Sequence, residues 1–142
     1  MKRLRFLTAT SAVVLGASLA LAAVSNAETY KMALSLAITG PTSDAGAPYA
    51  KGAEDYVKYA NETKVLGNDK IECTIRDDEY KTDVTKRNFE DFLAQGIVIY
   101  LNYSTGSTLA LKKDFEEEKM PTIPASFHAG NLVDSHYIFL PI

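Results

Sequence analysis

Strand-like apolar runs alternate with helix-like amphipathic segments along this chain, and that order constrains the fold more than any other feature. Residues 30–38 are mostly apolar and meet a Gly40-Pro41 breaker, as a buried strand does. A loop of Gly, Pro, Thr, Ser and Asp follows over residues 39–46. Pro48 then suits the first turn of a helix, and Tyr49, Ala53, Tyr56, Val57 and Ala60 recur at helical spacing. Residues 70–76 alternate apolar and polar with period two, which predicts a strand with one exposed face or near an edge, terminated by Asp77 and Asp78. Asp83 is placed to cap a second helix, with Val84, Phe89, Phe92 and Leu93 facing inward and Gly96 as its stop. Residues 97–101 read as a short, fully buried third strand. A third helix carries Leu109, Leu111 and Phe115, ends in the charged stretch from Glu116 to Lys119, and is closed by Pro121. Residues 122–125 make a weaker fourth strand, where Pro124 predicts an edge or a strand end, and a last apolar run begins at Tyr137.

The expected fold class is therefore α/β, a parallel sheet flanked by helices. No low-complexity linker breaks the pattern, so it reads as one domain.

The amino terminus obeys a different logic. Met1, Lys2, Arg3, Leu4 and Arg5 form a cationic start, no charge occurs from Phe6 to Ala27, and Ser25-Asn26-Ala27 places small residues where a signal peptidase reads them. Residues 1–27 are expected to be a signal peptide cleaved after Ala27, which makes the product exported and periplasmic. An uncleaved membrane anchor is the competing reading, but Thr8, Thr10, Ser11, Gly16 and Ser18 dilute its hydrophobicity. Glu28 rather than a lipid-bearing cysteine follows Ala27, which favours a soluble product.

Cleavage leaves 142 − 27 = 115 residues and moves the formal charge from −3 to 12 − 18 = −6. Such a balance argues against nucleic acid as a partner. The length suits one modest core, since domains commonly have about 100–150 residues. Cys73 is the only cysteine, so no disulfide framework is expected and core packing is its natural role.

Open parallel sheets collect ligands at the carboxyl ends of their strands. Three loops qualify, at residues 39–47, 103–108 and 126–131. Ser104-Thr105-Gly106-Ser107-Thr108 is the most informative, because it brings hydroxyls and free backbone N–H groups to the start of the third helix. Such a terminus binds an anion, a carboxylate for instance. The same residues also make an ordinary helix cap, and one loop has donors enough for both roles.

Other candidate chemistry is weaker. His128, Asp134 and His136 lack the tight spacing of metal ligands, and no metal or other cofactor is expected. Asp77 and Asp78 suit loop capping better than a catalytic pair, and Glu116 to Glu118 with Lys112 and Lys113 suit a solvated helix face. A G-x-S-x-G elbow is absent, since Ser104-Thr105-Gly106-Ser107 has neither flanking glycine in place. There is no G-x-G-x-x-G after the first strand and no phosphate-loop lysine motif, so the chain is not expected to be an enzyme.

Thr39-Gly40-Pro41 after the first strand, then Gly46, Tyr49, Gly52-Ala53-Glu54, Arg76-Asp77-Asp78, the Ser/Thr/Gly loop and Pro121-Thr122-Ile123-Pro124-Ala125-Ser126 stand in register. Together, over residues 30–142, they resemble the amino-terminal lobe of type I periplasmic binding proteins. The nearest group is that of leucine/isoleucine/valine-binding proteins, the extracytoplasmic components of ABC importers. The resemblance implies a two-lobed protein that closes on a small solute, an amino acid of branched-chain type or a related carboxylate, and delivers it to a membrane permease. In the family the loop after strand three holds the ligand's carboxylate, which maps to Thr105, Gly106 and Ser107. The loop after strand four also contributes, and maps to Ser126, Phe127 and His128. Branched-chain binders have small residues and a threonine in that second loop, so Phe127 and His128 depart from the pattern and suit an aromatic or otherwise different carboxylate. Ala45 stands where such binders often place an aromatic, which loosens one wall of the pocket.

Family members are roughly three times the length of the mature chain. Residues 28–142 are accordingly expected to be an incomplete N-terminal lobe with the second lobe absent, not competent for transport alone. The ligand-sensing domain of a receptor, which shares the fold, is the alternative reading, with a secreted α/β enzyme behind it.

Overall fold

A computed structural model describes residues 26–141, and the expected signal peptide lies outside them except for Asn26 and Ala27. The elements run β1 (Thr29–Leu36), α1 (Ser43–Glu62), β2 (Lys70–Asp77), α2 (Thr82–Ala94), β3 (Ile99–Asn102), α3 (Thr105–Glu117) and β4 (Thr122–Pro124), with a 3-10 turn at Ala129–Asn131. The strands form one sheet in the order β2-β1-β3-β4, every pair parallel. This is the α/β architecture expected from the element order.

Alternation along β1 assigns its side chains to two apolar layers. Ala33 joins Phe89, Phe92, Tyr100, Leu111 and Phe115 between the sheet and helices α2 and α3. Within that layer Phe89 sits 5.0 Å from the Tyr100 ring and 5.1 Å from Phe115, the latter edge-on. Leu34 and Leu36 face the other way and pack with Ala50 of α1, where Met32, Ala53, Cys73, Ile75 and Leu101 complete the layer. Cys73 is thus a packing residue, and burial, with the Glu54 charge adding to it, pushes its thiol up to about 11.

Strand β2 is an edge strand, one of the two placements its period-two pattern allows, and Arg76 lies on its α2 side, 5.0 Å above the Phe92 ring and paired with Asp91. The last apolar run adds to β4: Thr122 N–H donates to the Tyr137 carbonyl at 2.7 Å, and Phe139 N–H to the Thr122 carbonyl at 2.9 Å.

Three boundaries differ from the sequence reading. Helix α1 starts at Ser43, so Pro48 lies inside it rather than in its first turn, and Ala45 is helical. Gly46 explains the early start: it packs so closely on the end of β1 that a Cβ would lie 2.0 Å from the Ala37 carbonyl oxygen. The chain can then begin to coil at once, and Pro48 removes only one helix hydrogen bond. Helix α2 is preceded by Lys81 as its N-cap, with no side-chain cap bond, and Asp83 falls in the first turn, where it pairs with Arg87. Strand β3 begins at Ile99 rather than residue 97; Ile97 is buried in the α2–α3 layer, whereas Val98 is half exposed.

A candidate ligand cleft at the carboxyl ends of the strands

Because β1 connects to β2 on one side and β2 crosses over to β3 on the other, the topological switch point falls between β1 and β3. The connections that leave these two strands run to opposite faces of the sheet, the arrangement at which open parallel sheets bind ligands. Asp77, the last residue of β2, ties the loops after β1 and β2 together. Its Oδ1 accepts from Ile38 N–H at 3.0 Å, Thr39 N–H at 3.1 Å and Glu79 N–H at 2.9 Å, and its Oδ2 accepts from the Thr39 hydroxyl. Burial pushes this carboxyl up, but the Thr39 hydroxyl and the three N–H donors outweigh burial and hold it below the ordinary aspartate value.

Asp78 has the opposite balance. It is fully buried and accepts from Tyr80 N–H at 2.9 Å and the Thr85 hydroxyl at 3.0 Å, yet burial dominates and raises its pKa. The two aspartates together pin Glu79 and Tyr80 in left-handed backbone conformation, with φ of 53° and 61°. Gly40 approaches this turn so closely, at φ 86°, that a Cβ would meet the Glu79 carbonyl at 2.8 Å.

At the start of α3 the Ser104 side chain caps the helix, accepting from Ser107 N–H at 3.4 Å. Thr105 and Gly106 occupy the first two helical positions, where a backbone N–H has no intrahelical acceptor. The Thr105 hydroxyl donates to Ser126 Oγ at 2.6 Å, which joins the loops after β3 and β4. Ser126 Oγ also accepts from His128 N–H at 3.2 Å, and the Asn131 amide donates to the Ser126 carbonyl at 2.9 Å.

The structure therefore brings Thr105 and Ser126 together, with Gly106 exposed beside them. Ser107 is placed differently. Its hydroxyl is fully buried, receives the Asn102 amide at 2.9 Å and lies 3.2 Å from the Ser104 carbonyl. Thr108 shares the Asn102 amide, so both hydroxyls belong to a buried polar layer under α3. Phe127 is 65 % exposed. His128 Nδ1 accepts from Gly130 N–H at 3.1 Å and so caps the 3-10 turn, with its ring laid over Gly130. Ala45 is exposed on the first turn of α1.

Sequence reasoning missed an aromatic cluster at the same end of the sheet. The Tyr103 ring, just after β3, lies 6.2 Å from Tyr49 of α1 and 6.2 Å from Tyr80 after β2. The three residues are far apart in the chain, and only the β2-β1-β3 order makes them neighbours. The available signal was an aromatic residue just beyond the end of each of two strands.

Comparisons with known proteins agree with this architecture. A family model described as periplasmic binding protein matches residues 29–142. A crystal structure of a branched chain amino acid ABC transporter from Thermus thermophilus with bound valine is 45 % identical, with a TM-score of 0.75, over 81 % of this chain and 31 % of that one. An ABC transporter substrate binding protein from Aeropyrum pernix is 30 % identical, with the same TM-score and the same coverage of 81 % and 31 %. The substrate binding protein LivJ from Streptococcus pneumoniae in complex with isoleucine, at 21 % identity and a TM-score of 0.68, shares the fold over 79 % of this chain and 33 % of its own. No curated protein matches. The chain thus spans about a third of the length of the solved structures it resembles. On the family match and the 45 % identity, this chain belongs to the periplasmic binding protein family.

Proposed function

We propose that this chain is the amino-terminal, ligand-binding lobe of an extracytoplasmic solute-binding protein of an ABC importer. Its ligand is an amino acid with a small apolar side chain, of the valine, leucine and isoleucine type, and its downstream partner is a membrane permease. The observation that carries the reading is the Thr105–Ser126 hydrogen bond at 2.6 Å. It holds Ser126, whose own hydroxyl proton is not used in that bond, beside the free N–H groups of Thr105 and Gly106 at a helix amino-terminus, and these donors together suit a carboxylate. The valine bound to the Thermus thermophilus relative supports an α-amino acid as the source of that carboxylate. The role is binding rather than bond-making, in keeping with the family.

A lobe that supplies one wall of a cleft binds more weakly than the closed pair, because closure removes the ligand from water. The test is therefore an NMR titration of the protein with millimolar L-valine, L-leucine and benzoate, following the amides of Thr105, Gly106 and Ser126. Saturable shifts at these three residues are expected. Thr105→Ala should weaken binding by about 1 kcal/mol. If no small carboxylate moves them, the assignment of the site is wrong.

A further inference from the structure

We propose that the outer face of α1 is a self-association surface, on which a second copy of this chain docks its own α1 in antiparallel orientation about a two-fold axis near residues 55 and 56. The surface lies away from the carboxylate site, and the inference does not depend on that site.

Gly46, Ala50 and Ala60 form the buried face of α1, with Ala53 and Val57 half-buried beside them. The opposite face carries Gly52, Asp55, Tyr56, Tyr59 and Glu62, all exposed. Tyr56 and Tyr59 are 60 % and 57 % exposed and their rings lie 6.3 Å apart, so they form one largely apolar ridge that meets water. Gly52 lies one turn before Tyr56 and two before Tyr59, and a Cβ there would meet no atom within 4 Å. An open notch therefore borders the ridge on the same face. Glycine weakens a helix interior, and at position 52 neither a positive φ nor a close neighbour requires it. A side chain of a second molecule seated in the notch accounts for it.

Charge selects the occupant. Lys51, Asp55, Lys58 and Glu62 follow one another at steps of four, three and four residues, so they form a row of alternating sign along one flank of this face. Such a row, reversed, is its own complement. With a second α1 antiparallel, Lys51 faces Glu62 of the other copy and Lys58 faces its Asp55, and the two-fold axis repeats both pairs. Within half a turn, the same register sets each Tyr59 opposite the Gly52 notch of the other copy. A parallel helix in register would set like charges together, and a partner of one sign would meet charges of both. Within one copy Lys51 already pairs with Asp55 at 2.8 Å and Lys58 with Glu62 at 3.9 Å, but exposed pairs of this kind contribute little, so a second copy can share them. A 20-residue helix is about 30 Å long, and one pair of such helices buries less than a standard interface, which makes the dimer weak.

Sedimentation equilibrium of the protein from about 5 μM to about 1 mM tests this, with a monomer–dimer Kd of the order of 100 μM expected. Gly52→Leu fills the notch without meeting anything in its own copy, so it should melt no lower than wild type yet weaken association by about tenfold or more. Lys58→Glu sets like charges together and should weaken association by about tenfold, and combining it with Asp55→Lys should restore most of the loss. Circular dichroism confirms that each variant is folded. A protein that sediments as a monomer at the highest concentration overturns the proposal. So does a dimer whose affinity Gly52→Leu and Lys58→Glu leave unaltered, because it then forms elsewhere on the molecule.

Discussion

Adjacent residues of one type have opposite roles at the end of β2. Asp77 accepts four hydrogen bonds and is held low, whereas Asp78 is buried with fewer donors and is raised. A depressed carboxylate contributes stability that is present above its unfolded pKa and lost as pH falls through the folded value. Asp78 has the reverse sign: its raised pKa favours folding in acid, and that contribution disappears as pH rises through it. Asp77→Asn should therefore cost about 1–2 kcal/mol at pH 7 in urea unfolding, with the difference from wild type shrinking toward pH 3. A difference constant with pH would mean that the ionised form is not what the turn requires. Ser107 and Thr105 make a similar contrast. Ser107→Ala leaves the buried Asn102 amide short of an acceptor and should lower stability by about 1–2 kcal/mol without altering ligand affinity. Thr105→Ala should do the opposite, and paired denaturation and titration curves separate the two.

Among the elements, α1 and α3 show how local contacts set boundaries that propensity does not. The first turn of α1 rests on the carbonyl of Ala37, and only glycine fits at position 46. Gly46→Ala should destabilise by about 3 kcal/mol or more, because the obstructing atom is backbone and cannot rotate away. A melting temperature within two or so degrees of wild type would contradict that packing. Helix α3 holds the carboxyl-terminal segment. Glu116 accepts from the Ser135 hydroxyl at 3.0 Å and from the backbone N–H groups of His136 and Tyr137 at 2.6 and 3.2 Å. The Lys112 ammonium donates to the carbonyls of Gly130 and Val133. The His136 N–H is the largest cause that lowers Glu116 to about 2, with Ser135 and the His136 ring adding to it against a smaller opposing effect of burial. The anchor is therefore complete above the ordinary glutamate value of 4.5 and is lost as pH falls toward about 2. Hydrogen exchange at His136 and Tyr137 should lose protection across that window, and Glu116→Gln should weaken it above the window and remove its pH dependence.

On the scale of the molecule, the sheet order converts local turns into one surface. Loops after β1, β2, β3 and β4 open at the same end because every strand is parallel. The order β2-β1-β3-β4 then sets the β3 and β4 loops side by side, where Thr105 meets Ser126, and brings Tyr103 next to the end of β1. The family match spans residues 29–142, which include this sheet and all four of its loops, and the Thermus thermophilus relative has a TM-score of 0.75 over 81 % of this chain.

Much of this was legible in the residues themselves. Apolar periodicity and small-residue loops determined the order of elements and the capping role of the two aspartates, and narrowed β2 to an edge or a half-exposed strand, because hydrophobic burial and helix ends act over a few residues at a time. The Ser/Thr/Gly loop identified where α3 begins for the same reason. Tertiary structure decided which of those hydroxyls faces solvent: Ser107 and Thr105 are two residues apart, yet one points into the layer beneath the helix and the other across to the next loop. It also decided that Tyr49, Tyr80 and Tyr103 meet, since that depends on strand order, a property of long-range pairing that no local pattern encodes.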